Sequence, residues 1–532
     1  AENGCGKMSF FDAATLRRIK KLGVTHVWYT GIIRHASKTD YSAYGIPHQH
    51  SAVVKGNAGS PYAITDYYDV DPDLADNIDD RMSEFEHLVE RSHKAGLKVI
   101  IDFVPNHVAR QYKSVKKPEG VKDLGETDDT GMGFSPRNNF YYCTDTPFEP
   151  YFDLNDETGT PYSEFPAKAT GNNHFDSHPG INDWYETVKL NYGIDYCDAG
   201  GRSYHFDPIP DTWQKMVDII GFWAGKGIDG FRCDMAEMVP TEFWSWAIAK
   251  VKSAHPGILF IGEVYNPSLY RSFVACGFDY LYDKVGMYDC LCGVMRGHCW
   301  ASEITRQWQS VDDIKDNMLY FLENHDELRI ASDFLAGDAR RGVPAAIVSI
   351  LMNKNPFMLY AGQEFGERGM DKEGFSGLDG RTTIFDYWTV QSLYHGYVNR
   401  RKLTDGEKSL EKKYSMLLNL ANKEKAISDG LFFDLMYANQ DGNLFNQSSL
   451  YAFLRKCSNE VLLVVANFSQ EEAECSVRLP HHAFEYLNLP EKTVTASDLL
   501  SEGNAISFEL KPDCLAHMSV PGCGGRIYKF KV

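Results

Sequence analysis

One pattern recurs along this chain: an amphipathic helical stretch closes on glycine, and a short apolar run begins at once. It occurs at Lys21-Leu22-Gly23-Val24, at Lys94-Ala95-Gly96-Leu97 and at Gly225-Lys226-Gly227-Ile228. Glycine just past a helix end takes the left-handed conformation that stops the helix cleanly. In Thr212–Ala224, Trp213, Met216, Val217, Ile220, Trp223 and Ala224 share one face, with Thr212 placed to cap it. Phe85, Leu88 and Val89 do the same before Gly96, and a further helix is expected over Phe10–Leu22. The apolar runs are Val24–Tyr29, Leu97–Val104, Ile228–Phe231, Ile258–Ile261, Phe278–Tyr282, Met318–Leu322 and Pro356–Tyr360. Strands apolar on both faces belong to a parallel sheet covered by helices. Their alternation with helices predicts an α/β fold, a (β/α)8 TIM barrel that is one strand short. No Gly-x-Gly-x-x-Gly turn follows any of them, which leaves a dinucleotide-binding sheet without support.

The rhythm breaks twice. After Val104 come roughly 100 residues rich in Tyr, Phe, Asp, Asn, Gly and Pro with no periodicity. This reads as an inserted domain at the C-terminal end of a barrel strand, where barrel active sites lie. After about residue 435, short strands separated by turn residues follow: Leu450–Lys456, Val461–Phe468, Glu474–Arg478, Ala505–Leu510 and Ile527–Val532. They predict a C-terminal antiparallel β-sandwich. The expected organisation is a barrel from residues 1–107 and 206–434, an inserted domain over 108–205 and a β-domain over 435–532.

Composition narrows the partners. The chain has 532 residues and a net charge of −19, which disfavours nucleic acid and anionic lipid. No apolar stretch approaches the ~20 residues of a membrane span, and Ala1–Phe10 carries no visible signal peptide. The twelve cysteines are sparse, and Cys233 lies inside an apolar strand. This placement favours reduced thiols and a cytoplasmic setting over a disulfide scaffold. Cys290, Cys292 and Cys299 lack the spacing of structural zinc. Oligomeric state is not set by any of these features.

Candidate chemistry sits just past the strands: Asp102, Asn106 and His107; Arg232 and Asp234; Glu263; and Glu323, Asn324, His325 and Asp326. Three carboxylates from three strands, Asp234, Glu263 and Asp326, would converge on one rim. Arg232 and Asp234, two apart, share a face of an extended segment. A sugar ring between two nearby carboxyls is the machinery of glycoside hydrolysis. One carboxylate attacks, and a carboxylic acid raised by neighbouring charge protonates the leaving oxygen.

These segments, Asp102-Phe-Val-Pro-Asn106-His107, Gly230-Phe-Arg232-Cys-Asp234, Ile261-Gly-Glu263-Val and Glu323-Asn324-His325-Asp326, together resemble the α-amylase family (glycoside hydrolase family 13). Gly59-Ser-Pro-Tyr62-Ala-Ile-Thr-Asp66-Tyr67 and Gly362-Gln-Glu-Phe-Gly366 are similar to two further family segments. The resemblance makes the missing strand the first and places the insertion after the third. It implies that Asp234 is the nucleophile, Glu263 the acid/base and Asp326 the transition-state stabiliser. It further implies that Arg232 orients Asp234, that His107 and His325 bind hydroxyls, that Tyr62 stacks on the sugar, and that Asp102 supports Arg232. Where the family has Lys-His beyond the nucleophile, this chain has Glu237-Met238. That Lys contacts sugar on the leaving-group side, and that His gives calcium a backbone carbonyl. Asn106 matches another calcium position, so a structural calcium is implied, although the chemistry itself needs no cofactor. Ala63 follows Tyr62 where α-glucosidase-like members have Asp, which points away from exo action.

The expected activity is retaining, amylase-type hydrolysis of α-glucosidic bonds in an α-glucan or maltooligosaccharide through a covalent glycosyl-enzyme intermediate. An α-glucanotransferase or maltosyltransferase would use the same intermediate. A non-catalytic sugar-binding relative is disfavoured by retention of all three carboxylates.

Overall fold

Seven short strands form the central sheet: β1 (His26–Tyr29), β2 (Lys98–Phe103), β3 (Gly230–Cys233), β4 (Leu259–Gly262), β5 (Tyr280–Tyr282), β6 (Met318–Phe321) and β7 (Phe357–Met358). They pair in that order, each parallel to the next. The computed structural model describes residues 6–532. Among the described residues no strand hydrogen-bonds β7 back to β1, so the sheet is a barrel wall with one open seam. The expected seven strands are present; five have trimmed ends, while β3 and β4 start later and run past the expected ends, to Cys233 and Gly262.

Helices cover the sheet as the glycine pattern predicts. They include α1 (Ala13–Leu22), α2 (Arg81–Lys94), α3 (Asp211–Ala224), α4 (Thr241–Ala254), α5 (Val343–Leu351) and α6 (Asp405–Lys423). Gly23, Gly96 and Gly227 take φ of +111°, +76° and +84°. Two expectations are corrected. The first helix starts at Ala13, because the Asp12 side chain accepts from Thr15 N–H and caps it there. Thr212 does not cap α3: Pro210 holds that position, and Thr212 is buried with its hydroxyl accepting from Asn139.

The seam is braced from outside by α6. Its Leu418 packs against the α1–β1 turn so closely that a Cβ on Gly23 would stand 2.6 Å from Leu418 Cβ. Asn422 Nδ2 donates to the Gly23 carbonyl at 2.7 Å.

The segment between β2 and α3 hangs from the rim. His107–Ala109 pairs antiparallel with Thr187–Lys189, and Phe140, Tyr141 and Tyr142 are buried within it. Asp66, itself buried, fastens this segment to the loop after β1 by accepting from Ser114 Oγ, Val115 N and Lys116 N.

The C-terminal strands are β8 (Leu431–Asp434), β9 (Leu450–Cys457), β10 (Glu460–Asn467), β11 (Ala473–Leu479), β12 (Lys492–Asp498), β13 (Ala505–Leu510), β14 (Cys514–Val520) and β15 (Gly524–Lys531). They form an antiparallel sheet in the order β8-β9-β10-β15-β12-β13 and a ribbon of β11 with β14. Strand β8 lies ahead of the expected boundary at residue 435. Arg455, on β9, is buried and donates to the carbonyls of Ala426, Ile427, Gly430 and Met352, the last ending α5. No helix among the described residues is long and apolar enough to cross a membrane.

Gly23→Ala adds both a left-handed strain and a collision with Leu418. The variant is expected to lose about 2 kcal/mol of stability; an unshifted chemical-denaturation midpoint would show that the turn tolerates a side chain.

Candidate active site

Arg232 is the centre of the rim. On β3 it is the register partner of Asp102 on β2 and of Ile261 on β4, and it is 1% exposed. Its Nη1 donates to Asp234 Oδ1 at 2.9 Å and to Asp102 Oδ1 at 3.3 Å. Its Nη2 lies 2.7 Å from Glu263 Oε2, and its Nε donates to Tyr282 Oη at 3.1 Å. A planar guanidinium offers donors in a fixed fork, so a single residue sets the positions of three carboxylates.

The carboxylates have second anchors. Trp28 Nε1 donates to the other oxygen of Asp102 at 2.8 Å. Met235, next to Asp234, takes a left-handed φ of +43° and thereby aims its N–H at Glu263 Oε2, 2.8 Å away. Tyr265, two residues beyond Glu263, donates its hydroxyl to Glu263 Oε1 at 2.6 Å. Beyond β6, Asn324 Oδ1 accepts from the backbone N–H of Asp326 and Glu327. This local turn lifts Asp326 onto the rim, where its side chain is 48% exposed. Below it, buried Glu323 pairs with Arg329 at 2.8 Å and accepts from Ile330 N.

The aromatic groups gather at the same place. His325 Nε2 lies 2.8 Å from Tyr62 Oη and 3.2 Å from Asp326 Oδ2. The Tyr62 ring stacks on His325 and faces the Arg232 guanidinium, with centroid distances of 5.3 and 5.4 Å. His107 Nδ1 accepts from Asn106 Nδ2, which leaves the proton on Nε2, and its ring lies 5.3 Å from that of Trp184.

Three buried acids against one guanidinium leave excess negative charge. Burial, then the Glu263 charge, push the Asp234 carboxyl well above its ordinary range, with Arg232 opposing. Asp234 therefore holds its proton to a higher pH than a free carboxyl does. Burial would also raise Asp326, but the charge and hydrogen bond of His325, with Arg232 and Arg381, hold it down to about 2. Burial, together with the charges of Lys189 and Lys55, pushes His107 down to about 3, so it is a neutral hydrogen-bonding group.

The model of the α-amylase catalytic domain matches residues 13–419. The chain belongs to the α-amylase family. It is 24% identical over 432 residues to Alpha-amylase 3 of Dictyoglomus thermophilum, covering 77% of this chain and 74% of that protein. It spans 42% and 50% of two longer α-amylase relatives. A stretch of 110 residues is 30% identical to an α-1,4-glucan:maltose-1-phosphate maltosyltransferase of Cereibacter sphaeroides, 20% of this chain and 18% of that one. The fold is that of the maltogenic α-amylase AmyB of Thermotoga neapolitana, with a TM-score of 0.62 at 20% identity over 98% of this chain and 93% of that one. The protein is a glycoside hydrolase of this family.

All eight of Tyr62, Asp102, His107, Arg232, Asp234, Glu263, His325 and Asp326 lie within this one network or at its edge. Sequence reading missed Trp28, Tyr282 and Tyr265. Trp28 and Tyr282 sit near the C-terminal ends of β1 and β5. Tyr265 stands at the same two-residue offset from Glu263 that links Arg232 to Asp234. Glu237, in the family's Lys position, points its carboxylate at the backbone N–H groups of Tyr265 and Asn266, 3.2 and 3.1 Å away. Asn106, the calcium candidate, accepts at Oδ1 from the amino group of Lys189.

Asp234 titrates higher in the folded chain than near 3.8, the unfolded range. Stability therefore falls as pH rises from the unfolded-state value towards the higher folded-state value, and the loss is absent once both states are protonated. Asp234→Asn in this amylase-family site should be more stable than the parent near pH 7 by about 1–2 kcal/mol. The gain should shrink as pH falls towards 4, measured by denaturant unfolding across pH; equal stability at neutral pH would show that the carboxylate sits without cost.

Proposed function

We propose that this protein hydrolyses α-glucosidic bonds of starch-like oligo- and polysaccharides with retention of configuration. The observation that carries this reading is the simultaneous contact of Asp234 and Glu263 with one buried guanidinium, with Asp326 on the rim above. Asp234 attacks the anomeric carbon while Glu263 gives its proton to the leaving glycosidic oxygen. The products are a glycosyl ester on Asp234 and a free sugar hydroxyl. Glu263, now a carboxylate, takes a proton from water, whose oxygen displaces Asp234 and restores the starting state. The reaction needs Asp234 bare and Glu263 protonated, and the Arg232 Nη1 contact at 2.9 Å favours the bare form of Asp234.

The other residues act on the sugar. Asp326, ionised and half exposed, grips hydroxyls of the distorted ring, and neutral His107 donates to another, as does His325. Tyr62 supports the ring face. Tyr265 and Met235 hold Glu263 in line, and Asp102 with Trp28 fixes Arg232.

The local likeness to a maltosyltransferase favours a second reading, in which a sugar hydroxyl replaces water as the acceptor. Both readings share the ester, so products separate them: hydrolysis gives new reducing ends only, whereas transfer gives chains longer than the substrate.

With maltooligosaccharide as substrate, Asp234→Asn and Glu263→Gln are each expected to lower turnover by roughly 10³-fold or more. Wild-type inertness on α-1,4- and α-1,6-linked glucans alike would overturn the reading, as would undiminished turnover in Asp234→Asn.

A further inference from the structure

The family resemblance implies a calcium position at Asn106 and another at the backbone carbonyl of residue 238. In this chain both oxygens face a lysine. Lys189, 2% exposed, donates from Nζ to Asn106 Oδ1 and to the Met238 carbonyl, the latter at 3.2 Å. The lysine reaches this point by strand register, since Lys189 pairs with His107 in the two-stranded antiparallel pairing that roots the insertion. Asn106 extends the junction, donating from Nδ2 to the Gly171 carbonyl at 2.9 Å and accepting at its own carbonyl from Leu190 N. Three stretches of chain are thus tied at one amino group: the loop after β2, the insertion, and the loop after β3.

The surroundings do not suit calcium. That ion takes 6–8 oxygen ligands and relies on carboxylates among them. The two oxygens here are neutral, and the charged side chain that acts on Lys189 is another cation, Arg202. Among the described residues no cluster of three or more His, Cys, Asp or Glu could hold a metal. Tyr196 adds an aromatic face 6.0 Å from Nζ.

We propose that the Lys189 amino group takes the place of the calcium ion at this junction, so that the insertion is fastened to the barrel by the chain itself and without metal. The inference rests on the contacts of Lys189, not on the reaction assigned to the site.

Hydrogen–deuterium exchange with mass spectrometry on the full chain tests it locally. Protection of segments 104–110 and 186–193 should be the same in excess EDTA and in millimolar calcium, and the thermal midpoint should not move between them. Lys189→Met, which keeps the stem and deletes the donors, should lower the midpoint by roughly 2–5 °C in either buffer. It should also loosen those same segments. If EDTA instead deprotects these segments in the wild type and calcium restores them, the proposal is overturned. Unchanged protection in folded Lys189→Met would overturn it equally.

Discussion

The site depends on one guanidinium facing three buried carboxylates. Arg232 contacts Asp102, Asp234 and Glu263 together, and among the described residues no other lysine or arginine pairs with these acids. In a low-dielectric interior this arrangement is costly, because two negative charges in excess must be desolvated with one of each sign. Removing the arginine would leave every acid unpaired; removing one acid relieves the others. The energetic asymmetry matches the chemistry, since a pair of carboxyls that cannot both ionise comfortably is a pair in which one acts as a base and the other as an acid.

The open seam of the sheet does not disturb this centre. Asp102, Arg232 with Asp234, and Glu263 come from β2, β3 and β4, neighbours joined by continuous parallel pairing on the side of the sheet away from β7. Register, rather than closure, sets their spacing: Arg232 and Asp102 are opposite each other across two strands. The groups that arrive from farther away, Tyr62 and Asp326, are fixed by loops with their own internal ties. Asp66 anchors the first of these loops, and Asn324 with the Glu323–Arg329 pair anchors the second.

Much of this was legible in the sequence because it rests on local rules. Helix ends at Gly23, Gly96 and Gly227 follow from backbone sterics, and the seven strands follow from runs of apolar residues. The carboxylates and Arg232 were readable as polar residues at strand tips. What the sequence hid was tertiary. Trp28 and Tyr282 read as ordinary core aromatics, and their polar ends gained partners only when the strands were set side by side. Nothing in the sequence singled out Lys189; its burial follows from its strand register with His107. Strands β8, β12 and β14 escaped because short segments with polar or half-exposed positions are hard to separate from loop, and the added helix His481–Leu487 lies among them. Thr212 was misread because a proline one residue before the helix fixed its start instead.

Arg455 shows how far the barrel and the C-terminal sheet are a single mechanical object. Its side chain leaves β9 and terminates on four main-chain oxygens of the barrel's outer layer and the segment that follows it. Peeling the sheet away would strand a buried cation on one side and bare acceptors on the other. Heat should therefore take both bodies apart in one cooperative event, and the terminal module is a keystone of the enzyme rather than an appendage that could be trimmed from it.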